Sequence, residues 1–312
     1  MDHCVFIHTN HKQIIGALVA EHSLKRNSQH ADKFEVRIIQ TKDYPFLKAR
    51  EGQLYLRDGV KRPWLNEDLQ SFTLLRFMPP ELMDYQGRAV VIDPDVFAVK
   101  DVWDLLSRDM QGKAIMCRMR AGPKGYIDHC KASSVMLLDC AKLKHWRVEE
   151  QFNEMFEGKR DYQPWVCLKY EDPETIGMIE EEWNDFDRLT QKTRMIHNTR
   201  RRTQPWKAGL PLDWRPAEKF RLFPPLGWLM RARRKLFGEY GLLGNYKAHP
   251  DANQERFFFG LLKELVENGT VTEEMIRLEM HQNHVRHDAL EVLERTPPLA
   301  PPPGPPMELP AA

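Results

Sequence analysis

The sequence predicts an α/β fold, a parallel sheet flanked by helices, with a helical and basic extension behind it. Three observations carry this. The chain opens strand–helix–strand, a unit whose strands pair in parallel through a right-handed crossover. Ala89-Val90-Val91-Ile92 is an unbroken apolar run with three β-branched residues, as expected of a strand buried on both faces. From Trp214 onward these patterns give way to helical spacing and basic residues.

Taken in order, Cys4-Val5-Phe6-Ile7-His8 is the first strand, and Thr9-Asn10-His11 supplies turn chemistry and an N-cap. Between Gln13 and Lys25, Ile14, Ile15, Leu18, Val19 and Leu24 fall mostly at helical spacing. Phe34 to Ile39 alternates as the second strand. Residues 41–67 are polar, punctuated by Gly52, Gly59 and Pro63, and show no readable pattern. Phe72 to Leu82 reads as a helix ending near Pro79-Pro80, ahead of the central strand. Val102 to Leu106 then begins a short helix, Ala114 to Cys117 and Ser133 to Asp139 are strands, and Leu143, Trp146 and Phe152 mark a helix. Met195-Ile196 is a short strand delivering His197. In the extension, Gln254 to Glu267 carries an apolar stripe and Thr272 to about Arg295 reads as another helix. The Pro-rich residues 296–312 read as a disordered tail. The expected organisation is a domain over 1–210, an extension over 211–295 and the tail.

Composition narrows the function. The 312 residues carry 46 basic and 45 acidic side chains, a net charge of +1, which excludes the basic excess of a nucleic-acid binder. The charge is uneven: between 215 and 247, eight basic residues face two acidic ones, a local +6. Within that stretch Trp228 to Phe237 mixes apolar and basic residues. It reads as a helix packed on the sheet with snorkelling arginines, as a helix on an anionic membrane, or as an acceptor clamp. The five cysteines (Cys4, Cys117, Cys130, Cys140, Cys167) contain no C-x-x-C pair and read as free thiols of a reducing compartment. Neither a signal peptide nor an apolar run of spanning length is visible, so the expected location is cytoplasmic, with membrane contact at most peripheral.

The central strand ends in Asp93-Pro94-Asp95. Pro94 cannot donate to a sheet ladder and fixes its own φ, so both carboxylates leave the strand on a stiff turn. Hard oxygen ligands at the carboxyl end of a buried strand suit Mg²⁺ or Mn²⁺ with phosphate oxygens, and ligands bind at such strand ends in open α/β sheets.

With these pieces in order, the sequence resembles glycosyltransferase family 8, the retaining, glycogenin-like enzymes of GT-A fold. The match covers roughly residues 4–210. It runs through the Thr9-Asn10 opening, Leu75-Arg76-Phe77-Met78-Pro79 and Val90-Val91-Ile92-Asp93-Pro94-Asp95-Val96. It continues through Ser134-Val135-Met136-Leu137-Leu138-Asp139 with Trp146, and Trp183-Asn184 followed by His197-Asn198-Thr199 and Gln204-Pro205-Trp206-Lys207. The resemblance implies a Rossmann-like, mixed and mostly parallel sheet, and a metal-dependent transfer of a hexose from a nucleotide-sugar, most often a UDP-sugar. It implies Asp93, Asp95 and His197 as metal ligands, the nitrogen leaning toward Mn²⁺. Arg76 would hold a carboxylate or phosphate near the donor; Thr9, Asn10 and Lys207 would contact the nucleotide, with Arg200-Arg201-Arg202 adding charge. The acceptor, whether saccharide, lipid-linked glycan or protein, is left open. Two segments depart from the family pattern: Arg200 stands for a glycine and Gln204 precedes the proline, and Ala132-Ser133-Ser134 replaces an Asn-[AS]-Gly. Asp161, Gln163 and Asp172 are candidates for the sugar face by position.

Two other readings compete. The same Asp-Pro-Asp strand resembles the nucleophile strand of haloacid-dehalogenase-like phosphatases, which would need Asp185 and Asp187 as a second acidic pair. A degenerate transferase that only binds a nucleotide-sugar or a protein is the other. His281, His284 and His287 read as a solvated face rather than a second metal site.

Overall fold

The opening unit forms as β1 (His3–Thr9), α1 (Ile14–Arg26) and β2 (Glu35–Gln40). β1 and β2 pair in parallel, from Cys4 beside Glu35 to Thr9 beside Gln40. Asn10 caps the turn into α1, its Oδ1 accepting from the Lys12 amide at 3.1 Å. This computed structural model describes residues 2–119, 130–214, 224–238 and 241–302.

The patternless stretch 41–67 folds as a short helix, α2 (Pro45–Lys48), and a hairpin of β3 (Leu54–Arg57) and β4 (Val60–Pro63). Asp58-Gly59 closes the hairpin with φ of 56° and 68°, the left-handed pair that a two-residue loop requires. Four-residue strands are too short for alternation to show, but the Asp-Gly dipeptide was a readable signal. The helix expected over 72–82 is corrected. Ser71–Phe77 is a 3-10 segment, and Pro79-Pro80 open rather than end a helix, α3 (Pro79–Leu82). Proline is tolerated in a first turn, where its missing amide would have had no helical partner.

The central strand is β5 (Arg88–Ile92), and after the Asp-Pro-Asp turn the chain continues as β6 (Val96–Ala98) and α4 (Trp103–Leu106). There follow β7 (Ile115–Met119), β8 (Lys131–Asp139), α5 (Val148–Glu157) and α6 (Tyr162–Val166). Short strands β9 (Ile176–Met178), β10 (Asp185–Phe186) and β11 (Met195–His197) complete the set. Six strands form one sheet in the order β2-β1-β5-β8-β7-β9. Three of its five pairings are parallel, and β8 runs antiparallel to both neighbours, so the sheet is mixed and mostly parallel, as the family resemblance implies. A second sheet runs β10-β11-β6. One face of the large sheet buries an aromatic core in which Phe77 stacks on Trp165 and meets Trp146 edge-on, at centroid distances of 5.0 and 4.9 Å.

The chain forms two compact units. One comprises the chain up to Asn66, Phe72–Asn198 and the chain from Pro298; the other comprises Glu67–Ser71 and Thr199–Pro297. The second unit holds α7 (Pro224–Phe237), α8 (Ala252–Glu267), α9 (Glu273–His281) and α10 (Ala289–Arg295). The single helix expected over 272–295 is thus two. Asn283, at φ 60°, turns the chain out of α9, and Arg286 ties the connection to Glu255 and Asp288 at 2.6 and 2.5 Å. His284 is buried against Glu279, while His281 and His287 are exposed, so the three histidines share no face. The first tail residues are held: Arg26 donates to the Ala300 carbonyl at 2.6 Å. The tail beyond 302 and the basic residues Arg215, Lys219 and Arg221 lie outside the described residues. Among those described, no helix is long and apolar enough to cross a membrane.

The cysteine expectation is also corrected. Cys130, just before β8, and Cys167, just after α6, form a disulfide, with Cα atoms 4.4 Å apart across 37 residues. Only the packing of α6 against the start of β8 brings them together, which no sequence spacing reveals. The cysteines therefore no longer argue for a reducing compartment. Cys4, Cys117 and Cys140 are free and buried, and burial pushes each thiol up to about 12.

A glycine in α1 sets how closely that helix meets the Asp-Pro-Asp turn. A Cβ on Gly16 would lie 2.6 Å from the Pro94 carbonyl oxygen, closer than real contacts allow. Backbone faces backbone there, so no flexible side chain can yield. Gly16→Ala should therefore cost ~1–3 kcal/mol of stability, the scale of overpacking a filled contact. Urea unfolding of the two proteins measures it; an unchanged midpoint would contradict the contact.

Candidate metal centre

The turn between β5 and β6 passes the chain from the large sheet to the small one. Asp93 donates its amide to the Ser134 carbonyl on β8 at 3.1 Å, and Val96 donates to the Asp93 carbonyl at 3.1 Å. β6 pairs antiparallel with β11, setting Val96 opposite His197, and the Asn198 amide donates to the Asp95 carbonyl at 3.0 Å. This pairing brings a histidine 102 positions after Asp95 beside the turn. Asp93, Asp95 and His197 each present one ligand atom within 4.8 Å of the others. His197 Nε2 lies 3.4 Å from Asp95 Oδ1.

The imidazole is oriented from behind. Asn184 Nδ2 donates to Ser134 Oγ at 3.0 Å, which turns its Oδ1 toward His197 Nδ1 at 2.8 Å. Nδ1 must then carry the proton, and the lone pair on Nε2 faces the carboxylates. Asn184 belongs to the Trp183-Asn184 motif, whose sequence alone does not show that it fixes this tautomer. Its partner Ser134, one of the residues that depart from the family pattern, supplies the acceptor that a glycine would lack.

Asp93 is gripped from the other side. Arg76 Nη2 donates to its two oxygens at 2.8 and 3.0 Å, and Nη1 donates to Ser133 Oγ at 2.7 Å. His8 Nε2, fully buried at the end of β1, sits 2.9 Å from Asp93 Oδ1. Burial alone would raise the Asp93 carboxyl, but the Arg76 charge and the His8 hydrogen bond hold it well below the usual carboxylate range. Burial pushes His8 itself below the ordinary histidine value. In the sequence His8 reads only as a strand residue, and its position immediately before Thr9-Asn10 is the signal that marks it. Of the two partners expected for Arg76, this is the carboxylate.

A divalent ion fits these donors. Two carboxylate oxygens and one imidazole nitrogen match a hard, borderline cation, and the nitrogen leans to Mn²⁺. Adjacent ligands on one such ion stand about 3 Å apart, given bonds of roughly 2.1 Å, close to the Nε2–Oδ1 separation.

The remaining candidates divide. β1 and β5 are parallel neighbours with Ile7 beside Ile92, so Thr9 and Asn10 leave the same sheet edge as Asp93. Both are buried. Lys207 lies in the second unit, fully buried, with Nζ 2.8 Å from Asp213 Oδ2. Tyr246 donates to the other Asp213 oxygen at 2.5 Å. Arg200, Arg201 and Arg202 are exposed. Asp161 is a structural cap: its Oδ1 accepts from the Asp58 and Gln163 amides at 2.7 and 3.0 Å, and Oδ2 from the Gly59 amide at 2.6 Å. Gln163 Nε2 contacts Cys167 Sγ at 3.4 Å, and Asp172 caps the Glu174 amide at 3.0 Å. Asp185 is buried, accepting from Thr193 Oγ1 at 2.8 Å and Arg188 Nε at 2.9 Å, and so serves as a structural acid rather than a phosphatase loop.

No family model matches this chain, and no curated protein matches it. Several solved glycosyltransferases are similar in structure. The galactosyltransferase LgtC, solved with donor and acceptor sugar analogues, has 14% identity and a TM-score of 0.47, covering 65% of this chain and 89% of LgtC. The glycosyltransferase GlyE of Streptococcus pneumoniae TIGR4 has 14% identity and a TM-score of 0.46, covering 86% of this chain and 64% of GlyE. Mouse xyloside xylosyltransferase 1 has 13% identity and a TM-score of 0.40, over 63% of this chain and 97% of that one. Likenesses at this level leave the functional argument to the site itself.

If Asn184 orients His197, removing its amide oxygen should loosen metal binding without touching a ligand. Asn184→Ala should weaken Mn²⁺ binding 10–100-fold by calorimetry, the usual effect of losing a ligand's hydrogen-bond partner. Asn184→Asp keeps an acceptor for Nδ1 and should bind much more like the parent. Equal loss in both variants would contradict the tautomer argument.

Proposed function

We propose that this chain is a metal-dependent glycosyltransferase that moves a hexose from a nucleotide-sugar, a UDP-sugar, to an acceptor. The observation that carries the reading is the convergence of Asp93, Asp95 and His197, with Nε2 of His197 turned toward the two carboxylates. Mn²⁺ held there would neutralise the diphosphate as the glycosidic bond breaks, a Lewis-acid role. An ion with three protein ligands keeps coordination sites for phosphate oxygens.

The chain's own residues supply the rest. Arg76 and His8 keep Asp93 ionised and aimed, and so act as positioning residues. Thr9 and Asn10, at the carboxyl end of β1, are assigned to the nucleotide, since ligands of such sheets bind at that edge. Lys207 is left out of the donor site, because its ammonium is engaged by Asp213.

The resemblance to family 8 further implies retention of anomeric configuration. Asp161 and Asp172 are engaged as caps, which disfavours either as a covalent nucleophile. A front-face route follows, in which the departing β-phosphate accepts the acceptor's proton. Charge then grows on the diphosphate, so His197→Ala should act on turnover, by roughly 10²-fold or more.

The direct test is UDP binding with and without Mn²⁺, followed by a panel of UDP-sugars in a hydrolysis assay. UDP should bind at least tenfold tighter with the ion, and Asp95→Ala should abolish the difference. Equal affinity in both conditions would contradict the assignment, and an inverted product by NMR would contradict the front-face route.

A further inference from the structure

The second unit exposes an apolar helix face that its own packing leaves bare. In α8, Phe258, Phe259, Leu261, Leu262 and Leu265 are all buried. In α7 the reverse holds: Trp228 is 64% exposed, Leu229 64%, Leu236 75% and Phe237 56%, with Leu242 just beyond at 73%. The exposure is ordered. Leu229 and Leu236 are seven residues apart and lie nearly one above the other on a helix, with Trp228 and Phe237 flanking them. Arg234 falls on the other side of the same turns, and Lys235, seven residues after Trp228, lies at the border of the apolar face.

Charge identifies the occupant. The 14 residues of α7 contain no Asp or Glu, and the surrounding stretch 215–247 is +6 within a chain of only +1. A helix with Trp, Leu and Phe on one face, Lys at its border and Arg on the other side lies in the plane of a lipid interface. Its apolar face enters the acyl boundary, and its cations meet anionic headgroups. The cores of protein–protein interfaces, by contrast, are depleted in lysine and in charge generally. Arg233 closes the C-terminal end by donating to the Gly241 carbonyl, which holds Leu242 next to the helix end.

We infer that α7 docks this protein on an anionic phospholipid surface through Trp228, Leu229, Leu236 and Phe237. This goes beyond transferase activity and does not depend on it. The test is flotation of the full chain with phosphatidylcholine vesicles and with vesicles that also contain phosphatidylglycerol. The chain should float with the anionic vesicles only, and high salt should release it. Leu229→Ser with Leu236→Ser should weaken vesicle binding about tenfold or more, from lost apolar burial. Arg234→Glu with Lys235→Glu should abolish the preference for the anionic lipid. All four side chains are in the exposed or half-buried part of the helix, so folding should survive, and an unchanged far-UV circular dichroism spectrum and thermal midpoint for each variant check this. Equal flotation with neutral vesicles, or none with either, would overturn the inference. So would a dimer of the parent chain that the serine pair dissolves, which would assign the face to a second copy.

Discussion

The site depends on one turn, Asp93 to Val96, that must pass from a six-stranded sheet to a three-stranded one while holding two carboxylates. Pro94 stiffens it, Ser134 and Asn198 hydrogen-bond its backbone, and Gly16 lets α1 rest against it. No single contact could keep both acids in one place. Arg76 and His8 hold the first, and the β6–β11 ladder carries His197 to the second.

This arrangement is costly on its own. Arg76, Asp93 and Asp95 are mostly buried, and taking charges out of water costs several kcal/mol per ion unless geometry and extra hydrogen bonds compensate. Asp93 has the compensation of a guanidinium and an imidazole. A divalent ion would complete it by placing positive charge between Asp93, Asp95 and the Nε2 lone pair, which is a physical reason for acids to converge there. The second unit has its own buried charge, Lys207 with Asp213 and Tyr246, and resolves it by direct pairing.

Much of this was legible in the sequence, and for stated reasons. β1, β5 and β8 announce themselves because strands buried on both faces are near-continuous apolar runs, and α1 and β2 because helical spacing and alternation leave local patterns of their own. The Asp-Pro-Asp turn and His197 were legible as chemistry at strand ends. What escaped depends on contacts between distant segments. The Cys130–Cys167 pair, the approach of Gly16 to Pro94 and the Asn184–His197 bond each join residues that no local window contains. Asp161 was misleading for the same reason: an acid in a promising position is used to cap a hairpin 102 residues away. The division of the 272–295 helix turned on one left-handed residue, Asn283, in a stretch whose helical spacing is otherwise good.

The central claim is that Asp93, Asp95 and His197 form one metal centre, and Mn²⁺ reports its own ligands. Electron spin echo modulation of the Mn²⁺-loaded full chain should show coupling to a single imidazole nitrogen, present in the parent and absent from His197→Ala. Mn²⁺ bound without nitrogen coupling, or coupling that survives His197→Ala and so comes from another histidine such as His8, would contradict the account.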